Sequence, residues 1–331
     1  MGLLLFLEVD PEDASRVRER FPDAKVVEKS LEGEALIDAA RDAEIVSTFI
    51  YTKFPGNVLQ KLPKLKLLCT RSVGFNHIDL EACGEQGIIV TNVPDYGSHV
   101  IAEHVFAMLL STLRHIPEAD RRVEGGTFDY RGLRGMALRG KTMGIVGTGK
   151  IGERVAEIAF GFGMRILAFD KCRREHLERF CGVRYVSFET LLRESDFVTL
   201  HLPALRDTEH MLNAASFAQL KNGAILVNTA RGELIDSQAL VHALKAGKIR
   251  YAMLDVLEHE KNFEENRELI SLPNVITTPH IAFYADDSMR NMYEDCFDSI
   301  RQFLKGEIPL HRVLPAKVVC DLPGYPKDGV R

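Results

Sequence analysis

The sequence predicts an α/β protein with parallel sheets arranged in two domains, and three observations carry that expectation. The chain has 331 residues, more than one hydrophobic core ordinarily fills. Short apolar runs alternate with amphipathic stretches, the pattern of parallel strands joined by crossover helices. The alternation pauses at a stretch rich in Arg and Gly, Arg121 to Gly135, and then restarts.

Taken in order, the runs at 3–7, 45–50, 65–70 and 88–91 read as strands, with helices over 11–21, 33–41 and 78–84 between them. Ser98 opens a long apolar helix through Leu113, and 121–135 reads as an extended arm or loop. The second block offers strands at 141–146, 165–170, 197–202, 224–229, 251–255 and 275–278. Helices over 152–160, 188–194, 214–220 and 237–246 fill the gaps. The segment from Leu314 to Arg331, with several prolines and glycines and little periodicity, reads as loop.

Composition removes several classes of function. A 46% hydrophobic, 27% charged chain with a formal charge of −5 gives no reason to expect nucleic acid or an anionic membrane as partner. The apolar opening Leu3–Leu7 runs straight into Glu8 and Asp10, too short for a membrane span, and reads as a buried first strand. Six cysteines without a C-x-x-C pair fit thiols of a cytoplasmic enzyme better than a disulfide frame or a zinc site. The string His99-x-x-x-Glu103-His104 misses the inverted zinc motif by one residue, so no metal is expected and His104 reads as an ordinary helical histidine.

Chemistry first shows in Thr142–Gly152, which reads as strand, tight turn and helix start. Gly147 permits the turn, Gly149 lets backbone approach a pyrophosphate, and Gly152 allows close packing of helix on strand. With Lys150 and Ile151 opening the helix, free N–H groups and a positive dipole end face the phosphates. Asp170 closes the next strand about 20 residues on, where a carboxylate accepts from ribose hydroxyls. That pattern points to NAD. Arg173 and Arg174 come soon after and could serve a 2′-phosphate, which leaves NADP open.

Three more strands end in polar residues, where open α/β sheets place their ligands: Arg231 after 224–229, Glu260 beyond 251–255, and His280 after 275–278. Arginine clamps a carboxylate bidentately, histidine gives or takes a proton near neutral pH, and a carboxylate beside it favours the imidazolium. Each residue alone reads as readily as an exposed arginine, part of a charged run, or one of 11 histidines. Together, after a dinucleotide cradle, they describe reduction of a 2-keto acid.

With these strings and His201-Leu202-Pro203 and Thr278-Pro279-His280, the sequence resembles the D-isomer-specific 2-hydroxyacid dehydrogenase family over nearly its whole length. The resemblance implies two Rossmann/flavodoxin-like lobes with a cleft between them. The substrate lobe would be 1–97 plus 284–331, the NAD-binding lobe 98–283, and the long segment 286–304 a helix crossing back. It implies Arg231 as carboxylate clamp, Glu260 as the histidine's partner and His280 as acid/base. NAD contacts are implied from Asp170, His201, Pro203, Thr208, Thr229 and Asp255, and a homodimer through the 98–135 helix and arm. The backbone of Val73 and Gly74 would hold the substrate carboxylate. Phe49 and Tyr96 would wall a pocket for pyruvate, as in the D-lactate dehydrogenase branch, though both serve equally well as core aromatics. Glyoxylate or hydroxypyruvate is the alternative substrate. An NAD-sensing binding protein or corepressor on the same fold is the alternative of another class.

Overall fold

The computed structural model describes residues 2–260 and 262–313, and the loop expected over 314–331 lies outside them. The described chain forms two compact units, one of residues 2–97 and 285–313 and the other of residues 98–284.

In the first unit β1 (Leu3–Phe6), β2 (Lys25–Val26), β3 (Ala43–Thr48), β4 (Leu67–Thr70) and β5 (Ile89–Thr91) alternate with α1 (Ala14–Arg20), α2 (Gly33–Ala40), α3 (Gly56–Leu59) and α4 (Leu80–Glu85). The second unit runs α5 (Ser98–Leu113), α6 (Ile116–Glu124), β6 (Thr142–Val146), α7 (Lys150–Gly161), β7 (Arg165–Phe169), α8 (Glu175–Cys181), β8 (Arg184–Tyr185), α9 (Phe188–Glu194), β9 (Phe197–Leu200) and α10 (Ala214–Gln219). It continues through β10 (Ala224–Asn228), α11 (Ser237–Lys245), β11 (Ile249–Leu254), α12 (Phe263–Ile270) and β12 (Val275–Thr277). Helix α13 (Asp286–Leu304) returns to the first unit.

The first sheet has order β2-β1-β3-β4-β5, the second β12-β11-β10-β9-β6-β7-β8, and all neighbouring pairs are parallel. Each order reverses once beside its first long strand, which leaves a crevice at the carboxyl ends of the strands where such sheets bind ligands. Side-chain alternation explains why both faces of each sheet are covered. In β10, Ile225 and Val227 join one core with α5 and α7, while Ala224 and Leu226 join the opposite core with α10 and α11. In the first unit Leu5, Val46, Leu68 and Val90 face one core, and Phe6 on the other face meets Phe21 and Phe297 at 6.0 Å. Each fully buried Leu or Phe stabilises the fold by about 1.5–3 kcal/mol.

Two expectations change. Residues 121–124, expected in the arm, close the amphipathic helix α6, and the irregular stretch begins only at Gly125. Cys69, Cys83, Cys181 and Cys296 are free and buried, whereas Cys172 is disulfide-bonded and departs from the thiol reading. The two-residue edge strands β2 and β8 are too short to carry a periodic signal.

Candidate active site

The glycine turn between β6 and α7 is shaped by close approach. Gly147 sits at φ +96°, and a Cβ there would lie 2.6 Å from the carbonyl oxygen of His201. A Cβ on Gly152 would lie 2.0 Å from the carbonyl oxygen of Gly147, so the helix packs directly on the turn. Gly149, by contrast, faces open space and begins a 12-residue helix with no side-chain cap. The positive dipole end of α7, which begins at Lys150 and Ile151, thus stands at the turn, the arrangement that suits an anion.

Asp170 ends β7 and holds this turn from below. Its carboxylate accepts from the backbone N–H of Thr148 at 2.5 Å, the Thr148 hydroxyl at 3.1 Å and the Cys172 N–H at 2.8 Å. Arg174 donates from Nε to the Thr148 carbonyl at 2.6 Å and lies 3.6 Å from Glu153, while Arg173 stacks over Tyr185. Both arginines thus have local roles that need no 2′-phosphate.

Across the same sheet edge, His201 comes after β9 with Nε2 2.9 Å from the Thr199 hydroxyl, and burial of its ring pushes its pKa down to about 3. Burial therefore favours the neutral ring. Thr208 donates its hydroxyl to the carbonyl of Pro203 at 2.7 Å and so closes the loop after β9. Thr229, at the end of β10, buries a hydroxyl oxygen with no partner, a group that a bound ligand would satisfy. The open glycine cradle, the uncapped helix end, the strand-end carboxylate and this orphaned hydroxyl together fit a dinucleotide.

Two of the three catalytic candidates, Glu260 and His280, meet within the same unit. His280 turns Nδ1 toward the Glu260 carboxylate, 3.1 and 3.2 Å from its two oxygens, which leaves Nε2 for a reactant. His280 is also in the left-handed region, at φ +56°, a conformation that must be held from outside. Asp255 supplies the hold. It is 1% exposed, its carboxylate accepts from the Thr278 hydroxyl at 2.5 Å and the N–H groups of Ile281 and Ala282 at 2.9 Å, and its carbonyl accepts from the His280 N–H at 2.9 Å. His104 on α5 adds Nε2 at 3.1 Å from the Thr278 hydroxyl. Asp255, expected as a cofactor contact, thus spends its carboxylate on the histidine loop.

Arg231 is placed by a different device. Buried Asn228 donates to the Arg231 carbonyl at 2.8 Å and accepts from the Ala230 N–H at 3.0 Å, which fixes the turn after β10. A Cβ on Gly232 would lie 2.1 Å from the Leu257 carbonyl group, so the arginine turn packs on the segment leading to Glu260. Glu258 secures that segment by accepting from His210 at 2.5 Å and from the Ser237 N–H at 3.2 Å. Burial pushes its carboxyl up, but these donors outweigh burial and hold it below the usual range. Sequence reasoning missed Asn228 and Glu258: one stands inside a motif with no role attached to it, the other inside a charged run.

The pocket candidates occupy the first unit. Phe49 ends the run of β3 and is 9% exposed, with its ring 6.0 Å from that of Tyr51. Tyr96 is 6% exposed, and Val73 and Gly74 lie in the turn after β4, with Val73 exposed. The Ser72 hydroxyl donates to the Gly74 carbonyl at 2.6 Å, and Asn92 donates to the Val73 carbonyl at 2.8 Å, so the carbonyls of this turn are engaged by side chains. Among the described residues no cluster of His, Cys, Asp or Glu could hold a metal ion, and no helix is long and apolar enough to cross a membrane.

A sequence profile for the D-isomer specific 2-hydroxyacid dehydrogenase NAD binding domain matches residues 106–282. The chain belongs to that family. It is similar to glyoxylate reductase of Thermococcus litoralis, 37% identical over 308 residues, which cover 90% of this chain and 92% of that protein. Among solved structures it resembles D-lactate dehydrogenase of Aquifex aeolicus complexed with NAD and lactic acid, with a TM-score of 0.88 and 35% identity. That match covers 95% of this chain and all of the other. The apo D-lactate dehydrogenase of Escherichia coli matches at a TM-score of 0.84, with 35% identity over 94% of this chain and 99% of that one. As a D-2-hydroxyacid dehydrogenase, the protein is an NAD-dependent oxidoreductase, and the residues 98–284 contain its NAD-binding domain.

Proposed function

We propose that this dehydrogenase reduces pyruvate to D-lactate with NADH. The observation that carries the substrate is the pair of buried aromatics, Phe49 and Tyr96, at loops on the carboxyl edge of the first sheet. Aromatic walls leave room for a methyl group and little more. In this reading Arg231 binds the substrate carboxylate. His280 gives a proton from Nε2 to the carbonyl oxygen, while Glu260 at Nδ1 orients the ring. Bound NADH supplies the hydride. The turn 147–152, Asp170, Thr229 and the loop through His201, Pro203 and Thr208 would hold it, with Asp255 acting through the His280 loop.

A second reading, glyoxylate or hydroxypyruvate reduction, is favoured by the glyoxylate reductases to which the sequence is similar. A steady-state panel decides between them. Pyruvate is expected to give the highest kcat/KM among pyruvate, hydroxypyruvate, glyoxylate and a bulkier keto acid, and a higher value for glyoxylate overturns the assignment. No NADH oxidation with any of them would favour a binding protein that senses NAD. We further assign the protein to the cytoplasm and to a homodimer. The second copy would cover the face of α5, α6 and the arm, where Ile116, Val123, Phe128 and Tyr130 are exposed.

A further inference from the structure

Glu8 is not among the site residues that the sequence suggests, yet it organises the loop that carries Phe49. It lies just past β1 at the carboxyl edge of the first sheet and has φ +57°, the left-handed region that a residue with a long side chain rarely adopts. Its carboxylate accepts four hydrogen bonds from one short segment. One oxygen takes the Thr48 hydroxyl at 2.8 Å and the Phe49 N–H at 2.6 Å, and the other takes the N–H groups of Tyr51 at 2.9 Å and Thr52 at 2.8 Å. A loop that folds its N–H groups inward around a carboxylate has little freedom to move the side chain of Phe49.

The backbone of Glu8 is fixed from the other side. Arg71, fully buried, donates Nη2 to the carbonyls of Leu7 and Glu8, both at 2.7 Å, and Nη1 to the Ser47 hydroxyl at 2.8 Å. Its guanidinium lies 5.1 Å from the Tyr293 ring centre and 6.0 Å from that of Phe6, so its charge is met by carbonyls and ring faces. Arg71 immediately precedes the turn of Ser72, Val73 and Gly74, and its own N–H donates to the Thr48 carbonyl at 2.8 Å. The hydroxyl of Thr70 joins the two loops again, 3.3 Å from the Phe49 carbonyl and 2.7 Å from the Ser72 hydroxyl. The strained residue is thus held by two independent sets of bonds, as strain at a functional position requires.

We infer that Glu8 is a specificity-determining positioning residue: through the 48–52 loop it sets where the Phe49 ring stands, and so which 2-keto acid side chains are accepted. The inference rests on the reading of Phe49 as a pocket wall. The experiment measures kcat/KM for pyruvate and for 4-methyl-2-oxopentanoate in wild type, Phe49→Ala, Glu8→Ala, Glu8→Gln and the double variant Phe49→Ala/Glu8→Ala. NADH affinity is measured in each by fluorescence titration. Phe49→Ala is expected to move the pyruvate preference toward the bulkier acid by roughly tenfold or more. Glu8→Ala should move it the same way by about tenfold with NADH affinity unchanged, and should add nothing to the ratio in the double variant. Glu8→Gln keeps the side-chain shape and one acceptor oxygen, so a smaller shift in the same direction is expected, and it serves if Glu8→Ala does not fold.

A uniform loss for both acids, or no change of ratio in either Glu8 variant while Phe49→Ala shifts it, overturns the role of Glu8 and leaves the pocket reading standing. No shift in Phe49→Ala removes the pocket wall itself and the inference with it.

Discussion

The two units offer different kinds of candidate functional group on similar supports. In the NAD-binding unit the groups proposed to do chemistry are ionisable side chains, and each stands on a segment fixed by a polar neighbour: Asn228 under Arg231, Glu258 beside the Glu260 segment, Asp255 under His280. In the first unit the pocket is assigned to backbone N–H groups and aromatic rings, and the charged residues, Glu8 and Arg71, are the ones underneath. The acting groups thus differ in type between the units, whereas the supports in both are polar or charged residues whose hydrogen bonds are spent within the fold. The difference teaches that a charged residue near a strand end is as apt to build the site as to act in it. Which of the two it does is read from where its hydrogen bonds go.

The largest expected effect belongs to His280. If the unit with the ionisable groups carries the chemistry, His280→Gln lowers kcat by at least about a hundredfold, with NADH affinity little changed. Turnover within a fewfold of wild type would place the proton donor elsewhere and break the contrast between the units. Arg231→Ala comes next. Losing charge-assisted bonds to a carboxylate lowers kcat/KM by roughly ten- to a hundredfold, mainly through KM with a smaller fall in kcat. A variant of Arg231 with an unchanged KM for the keto acid would shift carboxylate binding entirely onto backbone N–H groups, the manner assigned to the first unit.

The same contrast explains what is legible in the sequence. Apart from β8, the strands from Thr142 to Thr277 and the helix Ser98–Leu113 stand where apolar runs and periodicity put them, because buried parallel strands must be apolar on both faces. Arg231, Glu260 and His280 are visible because few chemistries need that trio at three consecutive strand ends, and Glu260 and His280 do meet. The supports are not visible. Asn228 and Asp255 lie in recognisable strings, but a sequence does not tell a carboxylate that faces a ligand from one saturated by Ile281 and Ala282. Glu8 reads only as the charged end of an apolar strand. Its role depends on a left-handed backbone and on donors more than forty positions away, neither of which has a local sequence signal.

The smallest expected effect separates two histidines of one sheet edge. His280, the proposed proton donor, stands beside the Glu260 carboxylate, whereas His201 faces the Thr199 hydroxyl and burial depresses its pKa from 6.5 to about 3. An unfolded chain protonates this residue near 6.5, but the folded chain does not until near 3, so the unfolded state binds more protons in between. The stability from this residue is therefore complete above about pH 6.5 and is lost as pH falls toward 3, at most about 1.4 kcal/mol per pH unit. His201→Gln keeps an acceptor or donor for Thr199 without the titration. Its urea midpoint should fall less steeply than wild type between about pH 6 and pH 4. Parallel pH dependences in the two proteins would mean that His201 takes up its proton while folded. It would then belong with the groups that exchange protons rather than with the neutral supports.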